Sequence, residues 1–191
     1  MSVTDQSVAS IPNLLTYARI VAVPVVAWLI LEETETMSWI ALAIFIAAGV
    51  TDFLDGYLAR TMGQHSALGQ MLDPIADKLL VAVCLFALVA VDRISGLTVI
   101  PALVILSREI LVSGLREFLA TLQVSVPVTW IAKWKTTLQL VAIGFLIAGD
   151  AGDTILPITT DIGIFGLWIS GLVTLYTGYE YFRGGLRHLV G

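Results

Sequence analysis

Long apolar runs alternate along the chain with short polar breaks, and six of the runs approach the roughly 20 residues that a helix needs to cross a bilayer. They cover residues 14–31, 37–59, 74–91, 97–121, 134–148 and 162–182. The run at 134–148 is short and is expected to extend into its flanks. Turn-forming residues separate the later runs at 92–96, 124–127 and 150–160. No repeat, linker or low-complexity stretch interrupts the series. The pattern therefore predicts an all-α membrane protein of six transmembrane helices, folded as a single domain over 1–191. Residues 1–12 are polar, include Asp5 and carry no Lys or Arg, unlike the basic start of a cleavable signal. The first run leads into Glu32 and Glu33 rather than a small-residue cleavage site, so it is read as a retained span.

Composition agrees with this reading. The 191 residues are 58% hydrophobic and 13% charged, against about 25% charged in a typical soluble domain. A net charge of -5 argues against nucleic acid as a partner, since such binders are basic. The single cysteine, Cys84, excludes an intrachain disulfide and a cysteine metal cluster, and its apolar surroundings make it a packing residue.

Charge then sets an expected orientation. With a cytoplasmic N-terminus, the external connections hold Glu32, Glu33, Glu35, Asp92, Asp150, Asp153 and Asp161, and only Arg93 of the ten basic residues. Positive charge near span ends stays on the side from which the chain inserts. Both termini are thus expected in the cytoplasm.

The polar residues that break the apolar pattern cluster at the end of the second run and the start of the third. Asp52 and Asp55 are three apart, and Asp73 and Asp77 are four apart, so on helices each pair shares a face. A hairpin of the two spans would gather four carboxylates at the membrane boundary. Their mutual repulsion calls for a countercharge, and hard divalent cations with oxygen ligands supply one. Two metals about 4 Å apart would suit displacement at phosphorus. Simpler readings stand beside this one. Asp73 before Pro74 is a good helix N-cap, Asp52 and Arg60 make an ordinary ion pair at a span end, and Asp77 with Lys78 are interfacial charges. A cation pathway of a transporter is the alternative from another class, although it predicts acids on several spans at the midplane.

The run Asp52-x2-Asp55-Gly56-x2-Ala59-Arg60-x8-Gly69-x3-Asp73-x3-Asp77 resembles, at every position, the signature of the CDP-alcohol phosphotransferase family. At average residue usage its chance occurrence is on the order of 10⁻⁹. The resemblance extends to Pro12-Asn13-x2-Thr16-x2-Arg19. More loosely, 107–116 and 133–136 resemble the members that make phosphatidylglycerophosphate. The resemblance implies the family's membrane fold, CDP-diacylglycerol as donor and CMP as leaving group. It implies Mg²⁺ or Mn²⁺, two ions per site, held by Asp52, Asp55, Asp73 and Asp77, with Asp77 also taking the acceptor's proton. Gly56 and Ala59, otherwise small residues for helix packing, would make room for the cytidine. Arg60 would contact the pyrophosphate, while Asn13 and Thr16 would line the nucleotide pocket. A homodimer in the bacterial inner (cytoplasmic) membrane, with its active site facing the cytoplasm, is expected on the same ground.

Arg108 and Arg116 lie eight residues apart, about two helical turns, on a similar face, and Lys135 opens the next span. They are either positive-inside anchors or a phosphate pocket, for which guanidinium groups are well shaped. Glu109 and Glu117 would orient them. A pocket implies a phosphate-bearing acceptor, which with the resemblance means sn-glycerol 3-phosphate. Phosphatidylglycerol (as in cardiolipin synthesis), an inositol phosphate and serine remain alternative acceptors. His65 and His188 receive no role.

Overall fold

A computed structural model describes residues 11–62, 67–124 and 130–190, with side chains described except at 11–12, 53–62, 67–68, 70, 130–133 and 186–190. All six expected helices are present: α1 (Ile11–Leu31), α2 (Glu35–Met62), α3 (Ala67–Ala90), α4 (Val99–Thr121), α5 (Trp130–Asp153) and α6 (Thr159–Val190). A single 3-10 turn, Gly96–Thr98, leads into α4. No strand occurs among the described residues.

Four helices contain described segments long and apolar enough to cross a membrane: α1, α2, α4 with its leading turn, and α6. The other two carry polar groups in their N-terminal halves, Asp73, Asp77 and Lys78 in α3 and Lys135 and Gln139 in α5. Those are the places where a membrane helix must be covered by protein rather than lipid. The helices also overrun the apolar runs. α3 starts well before Pro74, which lies inside it. Asp73 is therefore a helix-interior residue, and its reading as an N-cap is corrected. A short helical piece also runs on past a break at Gly149 to Asp153, so the turn expected at 150–160 is confined to 154–158.

The chain forms two compact units, Met1–Val91 and Asp92–Gly191. In the first, α2 and α3 both pack against α1. The buried stripe of α1 runs Asn13, Thr16, Arg19, Val23, Val26, Ile30, a spacing of three or four residues that keeps one helix face inward. Its first half is polar and its second half apolar. Leu14, Val21 and Trp28 lie exposed, as suits a surface meant for lipid.

In the second unit α6 packs against both α4 and α5. Its glycines record the geometry. Gly171, Gly178 and Gly185 face Pro101, Arg108 and Leu115 of α4, a constant offset that makes the two helices parallel, with a seven-residue repeat. Gly163 and Gly166 face Leu146 and Ala142 of α5, where rising numbers meet falling ones, so that pair is antiparallel. Small residues let backbones approach where apolar burial gives no drive against lipid.

Arg93, expected only as an external loop charge, ties this unit together. α5 breaks at Gly149, with φ 45° and ψ -131°, a conformation glycine adopts without a Cβ penalty. The break sits beyond the carbonyls of Leu146 and Ile147, and Arg93 Nη1 donates to both at 3.3 and 2.6 Å. A Cβ at Gly149 would lie 3.0 Å from the Arg93 guanidinium carbon. Beyond the kink, Asp153 accepts from the Thr160 amide at 3.1 Å and the Thr160 hydroxyl at 2.6 Å. These bonds anchor the first turn of α6 and hold the Asp153 carboxyl below its ordinary range.

Candidate active site

The acidic centre of the first unit is organised by α1, which the hairpin picture left out. Arg19 and Thr16, three residues apart on its buried face, reach opposite neighbours. Arg19 Nη1 donates to Asp52 Oδ1 of α2 at 2.6 Å, and the Thr16 hydroxyl donates to Asp73 Oδ1 of α3. The Arg19 side chain is fully buried while that of Asp52 is 41% exposed. Asp52 is therefore paired with Arg19, while the expected pair with Arg60 falls on a side chain outside the described residues. Asp73 lies close enough for its charge to act on Asp52, so the two acids from α2 and α3 do converge. Asp77 lies one turn further along α3 and is half-buried. Asn13 is buried on the same α1 face.

The side chains of Asp55, Gly56, Ala59 and Arg60 lie outside the described residues, as do His65 and the side chain of His188. Among the described residues no three acidic, histidine or cysteine side chains form a complete metal cage. The chemistry of Asp52 and Asp73 nevertheless fits a hard cation. Arg19 and Thr16 engage only the Oδ1 atoms, and neither Oδ2 has a hydrogen-bond partner among the described residues. Two adjacent carboxylates with one full countercharge leave net negative charge, and oxygen donors of this kind suit Mg²⁺ or Mn²⁺.

The second unit gathers the cations. Glu109 accepts from Arg108 Nη1 at 3.3 Å and from the Lys135 ammonium. Arg108 Nη2 reaches the Thr177 hydroxyl of α6 at 3.3 Å. The side chains of Arg108, Glu109 and Lys135 are only 13%, 19% and 6% exposed. Burial of this kind separates Lys135 from a solvated membrane anchor. Arg116 is exposed and lies over the Tyr181 ring, 5.7 Å from its centroid, near enough for its charge to act on Arg108. Arg108 Nε is buried and has no hydrogen-bond partner among the described residues. Among the described residues two largely buried cations share the one Glu109 carboxylate, and Arg108 Nε is an uncommitted donor.

Sequence reasoning missed Arg19 as a member of the acidic centre, reading it only as a basic residue near a span end. The signal was present, because an arginine inside an apolar run is a functional residue by default. Thr177 carried no such signal, being one hydroxyl among several on α6.

An all-helical membrane fold with paired acids on consecutive helices places the chain in a known class. The family of CDP-alcohol phosphatidyltransferases matches residues 9–176, and the chain belongs to it. It is an integral membrane protein and a transferase. Among its relatives, the CDP-diacylglycerol–glycerol-3-phosphate 3-phosphatidyltransferase of Rickettsia bellii (strain RML369-C) is 44% identical over 174 residues, covering 91% of this chain and 94% of the relative. The proteins of the same name from Cereibacter sphaeroides and Haemophilus influenzae are 39% and 36% identical, over 94% and 91% of this chain and 97% and 92% of their own lengths.

Proposed function

We propose that the chain transfers a phosphatidyl group from CDP-diacylglycerol to sn-glycerol 3-phosphate, giving phosphatidylglycerophosphate and CMP. The observation that carries the choice of acceptor is the buried Arg108–Glu109–Lys135 cluster, whose excess positive charge calls for an anion. A phosphate monoester, with close to two negative charges, meets that need better than serine, whose single carboxylate is offset by its own ammonium. The names of the relatives agree with both substrates.

In this reading Arg60 holds the donor pyrophosphate, Gly56 and Ala59 leave room for cytidine, and Asn13 and Thr16 border the nucleotide. Asp52, Asp55, Asp73 and Asp77 would hold two divalent cations, Mg²⁺ or Mn²⁺, which when bound neutralise pyrophosphate charge. Arg108, Arg116 and Lys135 bind the acceptor phosphate, and Arg108 Nε offers it a further donor. Asp77 accepts the proton of the primary hydroxyl as that oxygen bonds to the lipid-proximal phosphorus and the bond to CMP breaks. Positioning and charge stabilisation supply most of the rate. Both termini and the reacting groups face the cytoplasm of the bacterial inner membrane, as the basic bias suggests, and the working form is a homodimer.

The test is CMP release by the purified protein with CDP-diacylglycerol, Mg²⁺ and sn-glycerol 3-phosphate. Release that needs both the acceptor and the metal, and that disappears in Asp77→Asn, is the expected result. Release with serine or phosphatidylglycerol in place of glycerol phosphate would contradict the acceptor assignment.

A further inference from the structure

The parallel seam between α4 and α6 opens on one side into a cavity of about 950 Å³, at the upper end of the roughly 300–1,000 Å³ typical of ligand sites. Its walls are mostly apolar: Ile100, Leu103 and Leu111 from α4, and Leu175, Tyr179 and Phe182 from α6. At the midpoint Gly178 lets the stem of Arg108 pass close to α6, its Cγ 2.8 Å from where a Cβ would lie. The lining runs from Ile100 to Val112, about 18 Å along a helix axis. That compares with about 15 Å for half of a bilayer's hydrocarbon core, the depth one acyl chain covers.

The cavity is polarised along its length. The end near the start of α4 is wholly apolar, whereas Ser107 and Arg108 lie at the middle and Arg183 at the other end. The two arginines differ in what they hold. The Arg108 guanidinium is engaged by Glu109 and Thr177. Arg183 is exposed and forms no ion pair among the described residues. A slot one acyl chain long, with an available guanidinium at one end and aromatic residues beside it, matches a phospholipid whose phosphate is anionic.

We propose that this groove is a binding site for one anionic phospholipid, its chain against Leu103, Leu111 and Leu175 and its headgroup on Arg183. A second copy of the chain fits the same surface less well. Copies inserted in one orientation are related by an axis along the membrane normal, so an isologous contact here would set Arg183 against Arg183 without a counterion. The groove adjoins the acceptor cluster and shares Arg108 with it, but the headgroup contact proposed here is Arg183, which the proposed reaction does not use.

Native mass spectrometry of the full chain in mild detergent tests it, after incubation with vesicles of equal phosphatidylglycerol and phosphatidylethanolamine. Preferential retention of phosphatidylglycerol is expected. Arg183→Gln should weaken that preference roughly fivefold, the effect of one basic residue at an anionic surface. Leu103→Trp, which fills the slot, should abolish retention of both lipids. Arg183→Gln changes an exposed position and serves as the readout if Leu103→Trp fails to fold. Equal retention of the two lipids, or a preference unchanged in Arg183→Gln, overturns the proposal. So does a dimer that Leu103→Trp splits, because the second copy would then be the occupant.

Discussion

The two units solve the same problem with opposite signs. In the first, one arginine on α1 answers two neighbouring acids on α2 and α3, and the surplus charge is negative. In the second, one glutamate on α4 answers an arginine and a lysine, and the ion pairs among the described residues leave more positive than negative charge. A membrane protein gains nothing from unbalanced buried charge in the resting fold, because each unpaired ion costs several kcal/mol of desolvation. Imbalance of opposite sign in two compact units is what a protein needs when it handles a cation in one place and an anion in another. The single countercharge in each unit then acts as an organiser, holding side chains in place without cancelling the site.

Neutralising one of the paired acids is the harshest test of the first half of that comparison. Asp73→Asn keeps the size of the side chain and an acceptor for Thr16 but removes the charge. Turnover is expected to fall at least a hundredfold in a protein that still inserts, as read by CMP release, on the scale of about 3 kcal/mol that one electrostatic contact contributes to catalysis. Retained turnover would mean that the surplus negative charge has no role.

Removing the organisers sharpens the contrast. Glu109→Gln leaves Arg108 and Lys135 facing one another and should lower stability by about 3–5 kcal/mol, the cost of breaking a buried pair. Arg19→Gln should cost less, since Asp52 is 41% exposed and water or headgroups can solvate it. The rescuing ions should also differ, by mass action on the folded state. Inorganic phosphate should raise the melting temperature of Glu109→Gln, and Mg²⁺ that of Arg19→Gln. The same ion rescuing both variants would erase the distinction between the units.

The smallest effect lies outside both clusters. Asp153 has its carboxyl held low by Thr160, so its bonds favour the folded state above the unfolded carboxylate range of about 3.9. That contribution is lost as pH falls through the folded value. Asp153→Asn should therefore narrow the difference in melting temperature between about pH 7 and about pH 2.5, which brackets the loss, by a small amount. An unchanged difference would show that the Asp153 bonds are not linked to folding.

Much of this was legible in the chain because apolar runs and charged residues answer different questions. The runs located six helices, and the aspartate spacing picked out Asp52 and Asp73, the two acids whose side chains come together among the described residues. What escaped was which way each polar residue faces. Arg19 was read from its distance to a span end, which says on which side of the membrane it lies but not that its helix face turns inward. Asp73 beside Pro74 carried the local chemistry of a cap, yet α3 runs through both, because proline within a membrane helix is tolerated where neighbours satisfy the backbone. Arg93 looked like a loop charge, since nothing local announces that Gly149, far along the chain, will free two carbonyls. Glu109 was legible as an orienting residue because it adjoins Arg108, and its bond to Lys135 came from the packing of α5.

The central claim is that the surplus positive charge of the second unit recognises the acceptor's phosphate. It is tested most directly by the KM for sn-glycerol 3-phosphate in Lys135→Met, measured at saturating CDP-diacylglycerol alongside the KM for the lipid. Loss of one charged hydrogen bond, about 1.5–3 kcal/mol, predicts a rise of roughly tenfold to a hundredfold for glycerol phosphate and no change for the lipid. An unchanged KM for glycerol phosphate, or an equal rise for both substrates, would contradict the account.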